Sequence, residues 1–206
     1  MSRVSRIHVV DDDDSLRVAL LRLLSAAGFE ARGYASTGEF LLHPPHDDPG
    51  CLLLDVNMPG PSGLELQAVL EHHNVALPVV FLTAYADVAA SVRAMKAGAV
   101  DFLTKPVDRD VLLDAIRRAL ARDGVNRAAR EESTRLLARF AALTPREREV
   151  FDRVVAGKLN KQIADELGIA ERTVKTQRAQ VLAKLGADST AELGRLAEQL
   201  ARLSNR

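Results

Sequence analysis

Cys51-Leu52-Leu53-Leu54-Asp55-Val56 is the stretch on which the reading of this chain turns. It is apolar without alternation, as long as a typical strand, and it carries a single carboxylate at its end. That is the pattern of a parallel strand covered on both faces, since an antiparallel strand with one wet face would alternate. Working outward, similar short apolar runs occur at Ile7–Val10, Phe29–Tyr34, Pro78–Leu82 and Val100–Thr104. Between them lie helix-period segments. Ser15–Ala27 carries Leu16, Ala19, Leu20, Leu23 and Leu24 and is stopped by Gly28, and Ser36 with Glu39 forms a capping-box pattern that opens a short helix. Gly63–His73, Asp87–Ala97 and Asp108–Leu120 read as three more helices, and the proline-rich His43–Gly50 as a loop. Five strands alternating with five helices predict an α/β domain with a doubly wound, five-stranded parallel sheet, its right-handed crossovers placing helices on both faces.

The remainder is different in kind. From Ala121 to Phe140 the sequence is charged and rich in alanine, so it reads either as a continuation of the fifth helix or as a linker. Thr144-Pro145-Arg146-Glu147 then combines a cap, a first-turn proline and a capping-box glutamate, opening a helix that ends near Gly157. Asn160–Leu167, a turn at Gly168, Glu171–Leu185 and a last helix capped by Ser189 and Glu192 complete a small all-α region. The expected division is 1–121, a linker at 122–140, and 141–206.

Charge follows the same division. The 206 residues balance to zero, but residues 1–124 hold 12 Lys and Arg against 17 Asp and Glu, whereas 125–206 hold 16 against 11. An acidic part suits a cation and a basic part suits phosphates. Tryptophan is absent, which removes the usual stacking platform for single-stranded nucleic acid. The single Cys51 forms no intrachain disulfide and is read as a small core residue. No apolar run approaches the roughly 20 residues of a membrane helix, and the first residues lack a secretory signal pattern, so a cytoplasmic protein with no membrane partner is expected.

Ligands of open parallel sheets bind beyond the carboxyl ends of the strands, where the strand order reverses. In the flavodoxin-like order 2-1-3-4-5 that point lies between the first and third strands. Asp11 and Asp12 end the first strand, and Asp55 ends the third, so three carboxylates converge. Such crowding is costly unless a cation offsets it, and oxygen ligands suit Mg²⁺. Thr83 and Lys105 end the fourth and fifth strands at the same edge, supplying a hydroxyl and a cation. A carboxylate nucleophile beside a divalent ion, a hydroxyl and a lysine is a set suited to phosphoryl transfer. An EF-hand starting at Asp11–Asp14 would need an acid at its twelfth position, where Arg22, Leu23, Leu24 or Ser25 stands. An aspartyl phosphohydrolase would want a second acid two residues past its nucleophile, where Asn57 stands. His43, His46, His72 and His73 have no metal-site spacing.

Val10-Asp11-Asp12, Leu54-Asp55-Val56-Asn57-Met58-Pro59-Gly60, Thr83-Ala84 and Lys105-Pro106 together resemble the signature of receiver domains of two-component response regulators. The resemblance implies that Asp55 is the phosphoacceptor. Asp12, Asp55 and the backbone carbonyl of Asn57 would hold Mg²⁺ (or Mn²⁺), with Asp11 assisting. Thr83 and Phe102 would be the switch pair, and Lys105 would pair with the phosphoryl oxygens. A stand-alone enzyme is not implied.

In the basic region Lys161–Leu167, Gly168-Ile169 and Arg172–Leu185 make a helix, a turn and a helix. Val174, Val181, Leu182 and Leu185 form its core stripe, to which Ile163 and Leu167 should pack. Leu143–Val150, Gly157, Asn160-Lys161-Gln162-Ile163-Ala164 and Thr173-Val174-Lys175-Thr176 resemble the DNA-binding domain of the LuxR/NarL class, and the whole chain resembles a FixJ-type regulator. By that resemblance Lys175, Thr176 and Arg178 face the major groove of double-stranded DNA, Lys161 and Arg172 are assigned to phosphates, and Gln177 is counted with them as a DNA-binding residue. Gln177 stands where many relatives carry histidine. The implied partners are a sensor histidine kinase, DNA, RNA polymerase and, when phosphorylated, a second copy of the chain.

Overall fold

The computed structural model describes residues 4–204 except 43, 44, 46, 47, 74, 76 and 86, so His43 and His46 lie outside the described residues. The first region contains β1 (Arg6–Val10), α1 (Asp14–Ala26), β2 (Glu30–Tyr34), α2 (Thr37–Leu42), β3 (Gly50–Asp55), α3 (Gly63–His72), β4 (Val79–Thr83), α4 (Val88–Lys96) and β5 (Asp101–Thr104). α5 (Arg109–Ala141) follows, then α6 (Pro145–Val155), α7 (Asn160–Leu167), α8 (Glu171–Leu185) and α9 (Thr190–Ser204). Compactness divides the chain into two units, residues 1–128 and 129–206. Among the described residues no helix is long and apolar enough to cross a membrane.

All strand pairs are parallel and the order is β2-β1-β3-β4-β5. The unbroken apolar character of β3 has the cause expected for it, since all six residues are buried. Alternate side chains serve opposite faces of the sheet. Cys51 and Leu53 join Leu20 and Leu24 of α1 and Leu112, Ile116 and Ala119 of α5. Leu52 and Leu54 join Phe40, Leu66, Leu70 and Ala94 on the other face. Burial pushes the Cys51 thiol up to about 12, with the nearby Asp123 carboxylate adding to the effect.

Local signals place the helix starts. Asp13 caps α1, its Oδ1 accepting from the amides of Ser15 and Leu16 at 2.9 and 3.0 Å. Thr144 and Glu147 form a reciprocal capping box at α6, with bonds of 3.3 and 2.7 Å. Gly168, in the left-handed region at φ 63°, turns the chain between α7 and α8.

The fifth helix takes the first of the two readings left open for Ala121–Phe140. It does not end at Leu120 but continues through the whole stretch taken as a possible linker. Alanine, arginine, glutamate and leucine dominate that stretch, and all favour a helix. Glu131 and Arg135 add an i,i+4 pair at 3.1 Å. Its final turns are not a spacer either. Leu136 is buried and Phe140 partly buried in the core of the second unit, with Val150, Phe151, Ile163, Val174, Val181, Leu185 and Leu193.

Candidate functional site

β1 and β3 are neighbours, so the residues that end them meet. Oxygens of Asp11, Asp12 and Asp55 lie within 4.8 Å of one another. Asp11 and Asp55 are buried, whereas Asp12 is exposed. Lys105, arriving from the end of β5, donates from Nζ to Asp11 Oδ2 at 2.8 Å and to Asp55 Oδ2 at 2.7 Å. The other oxygens of these two acids accept from backbone amides, Asp11 Oδ1 from Asp13 at 3.0 Å and Asp55 Oδ1 from Asn57 at 3.3 Å. One cation among three acids leaves an excess of negative charge. Burial pushes the Asp11 carboxyl above its usual range, although its bonds to Lys105 and Asp13 act in the opposite sense. Burial pulls the Lys105 ammonium down, but its bonds to Asp11 and Asp55 outweigh that and raise it.

Thr83 at the end of β4 is buried, and its hydroxyl donates to the Tyr85 carbonyl at 3.0 Å. Phe102 on β5 is half-buried, its ring centroid 5.9 Å from that of Phe81. Asn57 is exposed just past β3. Thr83 thus ends β4 as Asp55 ends β3, and Lys105 follows β5 at the same edge of the sheet. His72 and His73 are exposed at the end of α3, away from the acids in sequence and element.

Two residues that sequence reasoning passed over support the acids. Arg17 of α1 donates to the Asp11 carbonyl at 2.6 Å and also pairs with Asp14, fixing the turn that carries Asp11 and Asp12. Gly63 begins α3 so close to β3 that a Cβ there would lie 2.1 Å from the Asp55 carbonyl oxygen. Only a residue without a side chain permits that approach. A first-turn glycine after a serine cap was the sole available signal, and it says nothing of what the glycine faces.

In the second unit α7 and α8 form the helix-turn-helix, with Ile163, Val174, Val181 and Leu185 buried and Leu167 and Leu182 partly buried, as the apolar spacing predicts. Arg172, Lys175 and Thr176 are exposed on α8, together with Ala179 and Gln180. At ~100° per residue these five fall within one face of the helix. Gln177 and Arg178 do not share it. They are half-buried and flank the core stripe on either side. Lys161 is exposed in the first turn of α7. Gln180 was legible in principle, standing i+4 from Thr176 and i+8 from Arg172, whereas Gln177 and Arg178 were assigned from the resemblance by position.

Comparison with known proteins agrees with this geometry. Residues 7–117 match the response regulator receiver domain, and residues 141–197 match the bacterial regulatory proteins of the luxR family. The chain belongs to the response regulators of two-component systems, with a receiver domain followed by a LuxR-type DNA-binding domain that regulates transcription. It is similar to nodulation protein W of Bradyrhizobium diazoefficiens, 43% identical over 94% of this chain and 86% of that one. The transcriptional regulatory protein FixJ of Azorhizobium caulinodans is 40% identical over 93% of this chain and 90% of that one. Among solved structures, the response regulator StyR is 45% identical with a TM-score of 0.85, covering 96% of this chain and 100% of its own.

Proposed function

We propose that Asp55 accepts a phosphoryl group from the phosphohistidine of a sensor kinase, and that this acylphosphate governs DNA binding by α8. The observation that carries the reading is the convergence of Asp11, Asp12 and Asp55 around a lysine already bonded to two of them. In the transfer a carboxylate oxygen of Asp55 bonds to phosphorus as the P–N bond to the kinase histidine breaks. The half-buried amine of Lys105 stands where it can turn from the carboxylates to the incoming phosphoryl oxygens. The Thr83 hydroxyl would leave the Tyr85 carbonyl for the same group, and Phe102 would move into the space released. The all-oxygen donors of Asp11, Asp12, Asp55 and the Asn57 carbonyl fit a hard divalent ion, Mg²⁺ or Mn²⁺. Such an ion supplies charge neutralisation at the transferred phosphoryl group.

The output runs through a second copy of the chain. Val88, Val92 and Met95 form an exposed apolar stripe along α4, spaced for one helix face and suited to burial in a phosphorylation-dependent homodimer. On DNA, Arg172, Lys175 and Thr176 would face the major groove and Lys161 a phosphate, with RNA polymerase the downstream partner. The chain would not be a stand-alone enzyme, and a cytoplasmic location suits both kinase and DNA.

The test is intact-mass spectrometry and light scattering of wild type and Asp55→Asn after acetyl phosphate, with and without Mg²⁺. The wild type should gain one phosphoryl adduct only with Mg²⁺ and then dimerise, and Asp55→Asn should do neither. A wild type that takes up no phosphate from a donor active on a control receiver would overturn the reading.

A further inference from the structure

We propose that Arg178 is a positioning residue of the DNA-reading helix, setting the angle of α8 against its neighbours rather than contacting a base. The proposal rests on α8 being the helix that enters the groove. Arg178 sends one guanidinium nitrogen, Nη1, to Oδ1 of Asn160 at 3.0 Å and the other, Nη2, to the Thr190 hydroxyl. Asn160 is the first residue of α7 and Thr190 the first of α9. One planar fork therefore spans three helices.

Charge does not account for this placement. The positive ends of α7 and α9 both face the guanidinium, and a cation there opposes the helix dipoles. What the arrangement supplies is direction. α8 is otherwise held to α7 by Ile163, Val174 and Val181, whose apolar contacts resist separation but specify rotation weakly. Two charge-assisted bonds from a rigid group fix both rotation and tilt. Arg172, Thr176 and Gln180 sit well round the helix from Arg178, and Lys175, one turn before it, borders their face. A small roll of α8 moves every one of them relative to the base edges at once, so the loss of the fork acts on the whole recognition face.

The experiment separates this role from base reading by removing the acceptors while leaving the arginine. Full-length wild type selects its preferred sequence from a library of randomised DNA duplexes. Binding to that duplex, and to each of its single-base variants, is then measured for Arg178→Ala, for Asn160→Ala/Thr190→Val, and for Asn160→Asp/Thr190→Ser, which keeps both acceptors. Arg178→Ala and Asn160→Ala/Thr190→Val should each bind about tenfold more weakly, the scale of hydrogen bonds to a charged group. Their order of preference among the single-base variants and their salt dependence should equal those of the wild type, and Asn160→Asp/Thr190→Ser should bind as the wild type does. If Arg178→Ala does not fold, the two acceptor variants decide the matter between them. A preference flattened at one base pair in Arg178→Ala but intact in Asn160→Ala/Thr190→Val would make Arg178 a base reader and sink the proposal. So would a salt slope reduced by about one, which marks a phosphate contact, or acceptor variants that all bind like the wild type. A wild type that enriches no duplex would instead remove the DNA-reading role of α8 itself.

Discussion

In the receiver unit the charges that matter are pressed together, and in the helical unit they stand apart. Asp11, Asp12 and Asp55 share one edge of the sheet with a single lysine, so pairing leaves negative charge over. In the helical unit Glu147 and Glu166 each have at least one cation to themselves. Lys184 meets Glu147 at 2.6 Å, and Arg153 and Lys158 both meet Glu166. Arg172 and Lys175, suited to DNA, are exposed and stand in none of those pairs. The contrast separates two meanings of an ion pair. A charge whose partner satisfies it mostly supports the fold, whereas unmatched charge, buried in one unit and exposed in the other, is left for a ligand.

The contrast presumes that the two units keep separate cores although α5 contributes to both. Leu136→Ala is the severest test of that. Truncating a buried leucine costs about 2–5 kcal/mol, and here the loss should fall on the helical unit. Calorimetry should show its transition lowered while Mg²⁺-dependent phosphoryl uptake survives to the same temperature as before. If uptake failed together with the helical unit, the cores would not be separate.

Acid should act on the receiver unit first. His8 is buried, its Nδ1 hydrogen-bonded to the Tyr34 hydroxyl at 2.9 Å. Burial first, then the charges of Arg6 and Arg32, lower its pKa from 6.5 to about 4 against the opposing Asp48. The folded state therefore keeps His8 neutral where the unfolded chain protonates it. Stability from this source is complete above pH 6.5 and declines as the pH falls toward 4, by ~3 kcal/mol in all. Denaturant titrations between pH 7 and roughly 4 should show that decline in the wild type and a much shallower one in His8→Gln. Equal slopes would remove His8 as the cause.

The smallest effect sharpens the comparison directly. Mg²⁺ at about ten times its dissociation constant should stabilise the receiver unit by ~1.4 kcal/mol and leave the helical unit unmoved. Thermal melts of wild type and Asp12→Asn would show it, the variant responding only at higher Mg²⁺. Equal stabilisation of both units would mean that the ion acts on charge in general rather than on the acids.

Much of the receiver was legible because its site sits at strand ends. Once the Cys51–Asp55 run is read as a parallel strand, topology alone brings Asp11, Asp12, Asp55, Thr83 and Lys105 to one edge. The supports were not legible, because each depends on a tertiary approach. Arg17 reaches back to the Asp11 carbonyl, and Gly63 lies against Asp55, but neither relation leaves a periodic mark. The length of α5 was open because Ala121–Phe140 has helix-forming residues without a strong apolar stripe. On α8 the apolar spacing identified the inward face correctly. The outward face was harder, since an arginine beside the core stripe is written with the same letter whether it meets DNA or Asn160.

The burial of Cys51 has a consequence for the inputs this protein can receive. With its pKa pushed up to about 12, the thiol stays protonated at neutral pH. Since the thiolate is the nucleophile, oxidants and electrophiles find almost nothing to attack, and the 206 residues contain no other cysteine. The chain is deaf to thiol chemistry while remaining open to chemistry at carboxylates. A cysteine introduced on its surface would be the one sulfhydryl able to report.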